Sequence, residues 1–272
     1  MAGSKYAYVR RFELPDNLLP GTHIVFRLDG HAFHKFSDEH AFAKPNDLRA
    51  LELMDHAAQR LMEEHPDILL GFGESDEYSF LLKKSASLYN RRSAKIATLL
   101  TSFFTSAYVY HWRDHFPDTP LRYPPSFDGR LVLYPANQHV RDYFSWRQAD
   151  THINNMYNTT FWALVQQGGE TTTQADATLK GTISSQKQEI LFSRFGVNYS
   201  KVPERFRKGS VIVRDLISEP QPESNVEGDG GHTHSPRKKR KDKSKPQYTI
   251  QILHCDIIKD DFWLARQHLL ED

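Results

Sequence analysis

The chain has 272 residues, enough to bury a substantial core as one large domain or as one domain with an added lobe. Its 35 Lys and Arg against 34 Asp and Glu give a net charge of +1, so no global field marks a polyanionic partner, although local basic patches fit this composition. The single cysteine, Cys255, excludes an internal disulfide framework and favours a reducing compartment.

Membrane and secretory signals are also missing from the sequence. No apolar run reaches the roughly 18 residues that span a bilayer. The N-terminal segment carries Lys5, Arg10 and Arg11 but lacks the apolar stretch of a secretory signal. We therefore expect a soluble, intracellular protein.

The first half of the chain alternates strand and helix patterns. The predicted elements, in chain order, are a strand at 23–26, a helix at 48–62, strands at 68–72 and 78–82, a helix at 96–107 and a strand at 130–134. Asn46 and Asp47 are candidate N-caps for the first helix. This order predicts an α+β fold, a ferredoxin-like sheet of antiparallel strands with helices packed on one face.

Acidic residues lie at the ends of these strands. Asp29 follows the first strand, and Gly30 after it lets the backbone turn sharply and approach a ligand closely. Asp76 and Glu77 lie in the turn between the second and third strands. The first and third strands are neighbours in this topology, so Asp29 and Asp76 should meet. Carboxylates that converge in this way suit Mg²⁺, whose coordination is completed by waters and substrate phosphates.

The adjacent carboxylates of Asp76 and Glu77 repel each other, so a compact turn requires a bound cation or a proton. Two carboxylates about 4 Å apart repel by roughly 4 kcal/mol at an effective dielectric near 20. Glu77 is either a direct metal ligand or a supporting residue, since successive side chains of an extended chain point to opposite faces. The alternative for the whole turn is an ordinary solvated hairpin.

Two further segments carry candidates for phosphate binding. The loop after Asp29 can cradle a triphosphate through backbone N–H groups and Lys44, with His34 as a further donor, or it is an ordinary exposed loop. Arg92 and Lys95 begin the second helix, where the helix dipole disfavours cations unless an anion lies nearby. They are a candidate phosphate-binding pair or a solvated basic face.

The second half of the chain is mainly helical. Residues 138–167 predict a long helix, and His152 and Asn155 share one of its faces, where they read a base edge or phosphate or form a buried hydrogen-bonding network. Its expected apolar anchors are Tyr143, Trp146, Ile153, Tyr157, Phe161, Trp162 and Leu164. Short helices broken at Gly181 follow. Strands are predicted at 206–213 and 250–258, and a last helix contains 262–264.

One segment, 218–247, has a composition that cannot bury a core, so we interpret it as a mobile insertion. Its basic cluster at 236–241 is a nuclear import signal, an RNA tether or a solvated loop. We predict a palm-like catalytic domain at 1–136 and, at 137–272, a mainly helical C-terminal part with returning strands and this insertion.

The residues alone predict a Mg²⁺-dependent nucleotidyl enzyme on a palm-like sheet. It also resembles the tRNA(His) guanylyltransferase family over nearly its whole length. The stretches that carry the resemblance are RLDGHAF with Asp29, FAKPND at 42–47, GESDEYSF with Asp76 and Glu77, YPPSFDGR at 123–130, SWRQADTHINNMYNT at 145–159, KGTISSQKQEILF at 180–192 and LHCDII at 253–258. The segment 218–247 matches none of these motifs.

The resemblance implies a polymerase-like palm that extends RNA in the 3′-to-5′ direction. ATP would adenylylate the 5′-monophosphate of tRNA(His), the 3′-hydroxyl of GTP would displace AMP, and pyrophosphate would then be removed. Each transfer is an in-line displacement at phosphorus, for which two Mg²⁺ ions roughly 3.5–4 Å apart can stabilise the attacking and leaving oxygens. The resemblance also suggests a homotetramer.

The resemblance assigns roles to particular residues. Asp29, Asp76 and Glu77 would be catalytic; Asp29, the Gly30 carbonyl and Asp76 would hold the two Mg²⁺ ions. Nucleotide binding would involve Asp29, Gly30, His31, Ala32, Phe33, His34, Lys44, Asn46, Ser75, Asp76, Arg92 and Lys95. The candidates for tRNA contact are His152, Asn155 and Lys187.

Two other classes of protein stay open. A nucleotidyl cyclase or an ordinary 5′-to-3′ polymerase would use the same acids but yield a cyclic or 3′-extended product. A non-catalytic tRNA-binding protein would keep its RNA affinity without Asp29 and show no metal-dependent turnover. The expected location is the cytoplasm, with the nucleus as the alternative that the basic cluster raises.

Overall fold

A six-stranded antiparallel sheet organises the part of the chain that the computed structural model describes, residues 4–216 and 248–271. Its strands are β1 (His23–Gly30), β2 (Ile68–Glu74), β3 (Glu77–Leu82), β4 (Phe127–Tyr134), β5 (Ser210–Leu216) and β6 (Tyr248–Leu253). They lie in the order β4-β1-β3-β2-β5-β6. The predicted ferredoxin-like arrangement is confirmed, because β1 and β3 are neighbours and β2 and β4 flank them. The predicted insertion and its basic cluster lie outside the described residues.

The helices of the described residues are α1 (Phe33–Glu39), α2 (Leu48–Glu64), α3 (Ser93–Tyr110), α4 (Trp112–His115), α5 (Asn137–Gln166), α6 (Thr172–Leu179), α7 (Ser184–Phe195), α8 (Glu204–Lys208) and α9 (Asp260–Leu264). The predicted helices are present in order among them, but α1 occupies part of the segment after Asp29 that was expected to be a loop, and α4 was not predicted. The Asp47 side chain caps α2 by accepting from the backbone N–H of Arg49 at 3.0 Å. None of these helices is long and apolar enough to cross a membrane.

The strand predicted at 206–213 begins later in the chain, at Ser210. Residues Glu204–Lys208 form helix α8, and Gly209, with φ of +77°, turns the chain into β5. A Cβ at Gly209 would lie 2.6 Å from the carbonyl oxygen of Gly73, so this turn sits directly on the neighbouring strand. The last strand also ends earlier than expected, at Leu253 rather than 258.

Both faces of the sheet are covered. Helices α2 and α3 pack on the face that presents Leu28 and Phe80, as expected for a ferredoxin-like fold. The opposite face, which presents Val25 and Leu81, is covered by the first half of α5 and by the segment that contains Trp263. The sheet is therefore the shared centre of two hydrophobic cores.

Helix α5 joins this sheet to a smaller helical lobe. It has 30 residues, a length of about 45 Å at 1.5 Å per residue. Tyr143 packs on the sheet, and Leu164 packs on α6. Two expected anchors face solvent instead: Trp146 is 53% and Ile153 57% exposed. The helix passes between two cores, so no single apolar stripe runs along its whole length.

The second core makes a prediction for stability. Leu81 is fully buried on the face that α5 covers, so Leu81→Ala should lower the free energy of unfolding by roughly 2–5 kcal/mol. Leu14→Ala, at a position that is 81% exposed, should change it by less than about 0.5 kcal/mol. Urea unfolding of both variants measures the difference; equal effects would mean that this face of the sheet is not a core.

Candidate active site

The site begins where the end of β1 meets the hairpin turn between β2 and β3. The backbone N–H of Gly30 donates to the carbonyl oxygen of Asp76 at 3.0 Å. A Cβ at position 30 would lie 2.8 Å from Asp76 Oδ2 and 2.4 Å from the ring of Phe33. Only glycine therefore lets the backbone come this close to the acidic turn. Ser75, whose φ of +49° makes the turn, donates its hydroxyl to Asp76 Oδ1 at 3.0 Å.

Asp76 is in an unfavourable place for a negative charge. Burial raises the pKa of its carboxyl, and the nearby charge of Asp29 raises this pKa further, against the opposing effects of Ser75 and His34. The backbone contact between Gly30 and Asp76 agrees with the predicted proximity of Asp29 and Asp76, and their like charges repel each other. A cation between them would relieve this repulsion.

The donors at this junction fit Mg²⁺. Asp29 and Asp76 offer carboxylate oxygens, and the missing Cβ of Gly30 lets the backbone between them lie against the Asp76 carboxylate. These are hard oxygen ligands, few in number, as Mg²⁺ prefers when it keeps waters and binds phosphates. The side chain of Asp29 is about one-third exposed, which leaves it open to a ligand.

Glu77 lies on the other side of the junction. Asp29 is paired with Glu77 across β1 and β3, so both side chains project from the same face of the sheet. Arg27 lies between them, with Nη2 3.0 Å from Asp29 Oδ2 and 2.5 Å from Glu77 Oε2. Arg147 of α5, only 3% exposed, donates to Glu77 Oε2 at 3.1 Å. These contacts favour a supporting role for Glu77, because two arginines already neutralise its charge.

Sequence reasoning missed both arginines. Arg27 is detectable in principle, since residues two apart in a strand share a face and Arg27 is two residues before Asp29. Arg147 is not, because it comes from a helix 70 residues beyond Glu77. Its guanidinium also lies 3.4 Å from the ring centroid of Trp146, which accounts for the exposed tryptophan beside it.

Beside the turn, a cleft of about 480 Å³ opens between α2, the loop before it and the second half of α5. This size suits a small-molecule ligand. Six of the predicted nucleotide-binding residues line it: Phe33, His34, Lys44, Asn46, Ser75 and Asp76. The cleft is also lined by residues that the sequence did not single out for binding, among them Tyr108, Tyr157, Asn158, Phe161 and Trp162.

Lys44 brings a positive charge to this cleft. Its Nζ lies 3.1 Å from Asp38 Oδ1 and 5.8 Å from the ring centroid of Trp162. Trp162 and its neighbour Phe161 form an aromatic wall of the cleft. Phe161 also packs against the core that contains Leu164, as expected, whereas Trp162, another expected anchor, is partly exposed at the cleft. Their partial exposure follows from the width of the cleft between α2 and α5.

The backbone after β1 is only partly available to a ligand. The N–H of Gly30 is bonded to Asp76, and the N–H of His31 donates to the carbonyl of Ser126 at 2.8 Å. Ala32, with φ of +55°, turns the chain into α1, which begins at Phe33. The first backbone N–H groups of a helix have no hydrogen-bond acceptor within it. The N–H groups that begin α1, around Phe33, can therefore donate to an anion.

Arg92 and Lys95 lie away from this cleft. Helix α3, 18 residues or about 27 Å long, begins beside them, and Tyr108 near its other end lines the cleft. The expected anion at the start of α3 is Asp16, which accepts from Arg92 Nε at 2.9 Å. This contact compensates the helix dipole from within the chain. A role for Arg92 and Lys95 in phosphate binding stays a prediction.

The three candidates for tRNA contact lie on α5 and α7, and none of them lines the cleft. Asn155 is buried, donates to Asn46 Oδ1 at 3.3 Å and accepts from the Tyr199 hydroxyl at 3.0 Å. It therefore belongs to a buried network that reaches a cleft residue. His152 packs edge-on against Tyr199, and Lys187 Nζ donates to the carbonyl of Thr182 at 2.6 Å. Contact of these residues with tRNA stays a prediction.

Comparison with known proteins places this site in a family. The model described as tRNAHis guanylyltransferase matches residues 6–135, and the model described as Thg1 C terminal domain matches residues 138–259. The chain belongs to the tRNA(His) guanylyltransferase family. It is an enzyme family, and its two models together cover most of the chain, including the acidic turn and the cleft.

Curated members of the tRNA(His) guanylyltransferase family are similar along almost their whole length. A tRNA(His) guanylyltransferase from Schizosaccharomyces pombe is 50% identical over 269 residues, covering 99% of this chain and 98% of that protein. A probable tRNA(His) guanylyltransferase from Mus musculus is 49% identical over 277 residues, covering 100% of this chain and 90% of that protein.

Solved structures of the family share the fold. A crystal structure of tRNA(His) guanylyltransferase from Saccharomyces cerevisiae has a TM-score of 0.74 and 53% identity, covering 77% of this chain and 93% of that one. A bacterial Thg1-like protein in complex with ATP has a TM-score of 0.72 at 20% identity, covering 99% and 100%. The palm-like fold is thus shared even with distant members.

The charge network behind the turn makes a pH-dependent prediction. Burial raises the pKa of Glu74 to about 7, with the charge of Glu77 adding to the shift and Arg147 opposing it. The folded protein therefore keeps this proton at pH values where the unfolded chain loses it, so Glu74 lowers stability as pH rises from about 4.5 to 7. A shift of this size corresponds to roughly 3 kcal/mol.

Glu74→Gln removes this dependence. The variant should gain stability relative to the wild type as pH rises from about 5 to 8, by up to roughly 3 kcal/mol. Urea unfolding at several pH values measures the difference. Glu64→Gln, at an exposed position, should run parallel to the wild type; a Glu74→Gln difference that does not change with pH would contradict the assignment.

Proposed function

We propose that this protein adds a guanylate to the 5′ end of tRNA(His) in a Mg²⁺-dependent reaction that runs in the 3′-to-5′ direction. The observation that carries the proposal is the junction of Asp29, Gly30 and Asp76 at the edge of a cleft of nucleotide size. Membership of the tRNA(His) guanylyltransferase family supports the choice of substrate. Because two relatives are described in complex with ATP and with GTP, we extend binding of both nucleotides to this chain.

The proposed division of labour follows the contacts around the junction. Asp29, the Gly30 carbonyl and Asp76 would hold two Mg²⁺ ions. When bound, these ions would supply charge stabilisation to the attacking and leaving oxygens of a phosphoryl transfer. Glu77 and its two arginines would keep Asp29 in place, because Arg27 bonds to both acids. Ser75 would orient Asp76 through its hydroxyl.

The cleft would position the nucleotide. Lys44 and the first N–H groups of α1 would bind a triphosphate, and the ring faces of Phe161 and Trp162 would pack against a base. The 5′-phosphate of tRNA would first be adenylylated by ATP, with loss of pyrophosphate. The 3′-hydroxyl of GTP would then attack that phosphorus and release AMP, and a final step would remove pyrophosphate from the added nucleotide. Holding the tRNA end and the nucleotide in one complex would lower the entropic part of the activation barrier, because a bimolecular step becomes effectively unimolecular.

Three further features belong to the proposal. His152, Asn155 and Lys187 would contact the tRNA from the side of α5 and α7. Arg92 and Lys95 would bind a second triphosphate. The active form would be a homotetramer in the cytoplasm, with the nucleus as the alternative, and sedimentation of the purified chain measures the assembly.

Removal of one acid tests the reaction. With 5′-monophosphorylated tRNA(His), ATP, Mg²⁺ and GTP labelled in its α-phosphate, the wild type should retain label at the 5′ end. Asp76→Asn should lower this rate by roughly 10²–10³-fold or more, the scale of losing one electrostatic contact in the transition state. Because burial already opposes the charge of Asp76, the variant should unfold no more easily than the wild type.

The control for this experiment is Asp118→Asn, at an exposed acid away from the cleft, which should keep full activity. A tRNA with another anticodon tests selectivity. Label in a cyclic or 3′-extended product would assign the protein to the cyclases or ordinary polymerases. Intact tRNA binding without any incorporation would mean a non-catalytic tRNA-binding protein.

The aromatic wall makes a separate prediction about binding. Stacking of a base on an aromatic ring is worth about 1–3 kcal/mol, so Trp162→Ala should weaken binding of GTP or ATP by roughly 5-fold to 150-fold. Phe192→Ala, at an aromatic residue that is 62% exposed and not part of the cleft, should leave the Kd unchanged. Titration calorimetry with Mg²⁺ present gives both values. Equal affinities for the wild type and Trp162→Ala would place the nucleotide elsewhere.

A further inference from the structure

A cluster of three histidines and one aspartate lies apart from the cleft, where helix α2 packs against the corner between α3 and α4. His56 projects from the middle of α2, His111 follows the last residue of α3, and Asp114 and His115 belong to α4. Nitrogens of His56 and His111 and a carboxylate oxygen of Asp114 lie within 4.8 Å of one another. None of the four residues lines the cleft.

The nearest pair of nitrogens has the spacing of a metal site. His56 Nδ1 and His115 Nε2 are 3.1 Å apart. Two ligands of a tetrahedral Zn²⁺ with Zn–N bonds of 2.0–2.1 Å are separated by about 3.3 Å. The two nitrogens can therefore share either a proton or a metal ion without moving apart. The ring of His111 stacks on that of His56 with centroids 3.8 Å apart, so His111 would rotate out of this stack to bring a nitrogen to the same ion.

The backbone places two of these rings together. His111 and His115 are four residues apart across the α3–α4 corner, a spacing that projects side chains to the same side of a helix. His111 Nδ1 lies 2.7 Å from Asp114 Oδ2. A carboxylate that accepts from one ring nitrogen fixes the tautomer and leaves the other nitrogen free to bind a metal. Asp114 therefore orients the His111 ring in the way that carboxylates orient metal-binding histidines.

The protonation states match those of ligands. Burial lowers the pKa of His56, and the charges of His111 and His115 lower it further. Burial also lowers the pKa of His115, while the hydrogen bond from His111 lowers the pKa of Asp114. Burial thus disfavours the charged form of the imidazoles at 56 and 115, and the contact with His111 favours the ionised form of the Asp114 carboxyl. Metal binding needs these forms.

The charged surroundings are balanced. Glu52 on α2 attracts positive charge toward His115, and Arg205 on α8 opposes it. Arg60, one turn beyond His56 on α2, also disfavours a second positive charge. Asp114 is the one carboxylate in direct contact with a ring of the cluster among the contacts described, so it supplies the negative charge beside the three imidazoles.

We propose that His56, His111 and His115, with Asp114 orienting His111, bind one Zn²⁺ or a similar late first-row divalent cation. Imidazole nitrogens select such ions over Mg²⁺, which prefers oxygen ligands. The site is thereby distinct in chemistry from the acidic junction of the cleft. Its role would be structural: the ion would link α2, whose first turns line the cleft, to the corner that follows α3, whose Tyr108 lines it too.

The test uses the full chain after removal of metals with a chelator. Co²⁺ is the probe, because a tetrahedral nitrogen-rich site gives Co²⁺ a visible absorption band, and excess Mg²⁺ occupies the oxygen ligands of the junction. We expect one Co²⁺ per chain, displaced by Zn²⁺. His111→Gln and His115→Gln should abolish the band. Asp114→Asn, at an exposed side chain, should weaken binding about 10–100-fold, as loss of an orienting carboxylate does.

Two control variants separate this site from others. His65→Gln changes a half-buried histidine at the end of α2 outside the cluster and should keep the band. Asp76→Asn should also keep it, whatever its effect on nucleotidyl transfer, so the two proposals fail independently. Thermal unfolding gives a second measurement: at a free Zn²⁺ concentration of about 100 times the Kd, the Tm of the wild type should rise by roughly 5 °C or more.

Several results would overturn the proposal. These are a titration without a band, a band that survives both histidine substitutions, and a band that Asp76→Asn removes. Absence of a band would mean that His56 and His115 share a proton in a hydrogen bond. If one histidine variant fails to fold, Asp114→Asn and the other histidine variant still decide the outcome.

Discussion

The close approach of the Gly30 backbone to the Asp76 carboxylate is the contact on which the rest of the site depends. It exists because β1 and β3 are adjacent and because position 30 has no Cβ. Bringing two acids together in a half-buried place is unfavourable for the free chain, as the raised pKa of Asp76 indicates. The same repulsion would be relieved by a divalent cation, which is the binding that we propose for this junction.

Several further acids lie close together behind the junction, and arginines reduce the repulsion between them. Glu74, Glu77 and Asp150 converge on the buried guanidinium of Arg147, with Arg27 completing the group. The two arginines contact all three acids, and these contacts hold the end of β1 and the hairpin in one geometry. The acids that would bind metal are thus supported by acids that do not. This division explains why an acidic turn with three carboxylates in four residues folds at all.

The topology could be predicted well from the sequence, because the periodicity of apolar residues within short segments distinguishes strands from helices. Strand and helix periodicities gave the order of elements, and the ferredoxin-like rule then placed Asp29 beside Asp76. The sequence did not reveal contacts between side chains that are far apart along the chain. Arg147 and Trp162 looked like an ordinary charge and a core aromatic, because nothing near them in sequence reveals that α5 faces both the hairpin and the cleft. Arg92 was an anomaly with a real cause, an anion at the helix start, but the anion is Asp16 of the same chain.

The unbroken length of α5 has an evolutionary consequence. Arg147 bonds to the hairpin, and Trp162, fifteen residues later on the same helix, faces the cleft. One inserted or deleted residue between them would rotate the two ends of the helix relative to each other by about 100° and shift them by 1.5 Å. The aromatic wall would then turn away from the cleft while the arginine stayed in place. Substitutions along this stretch can accumulate, but we expect its residue count to stay constant among relatives that share the chemistry.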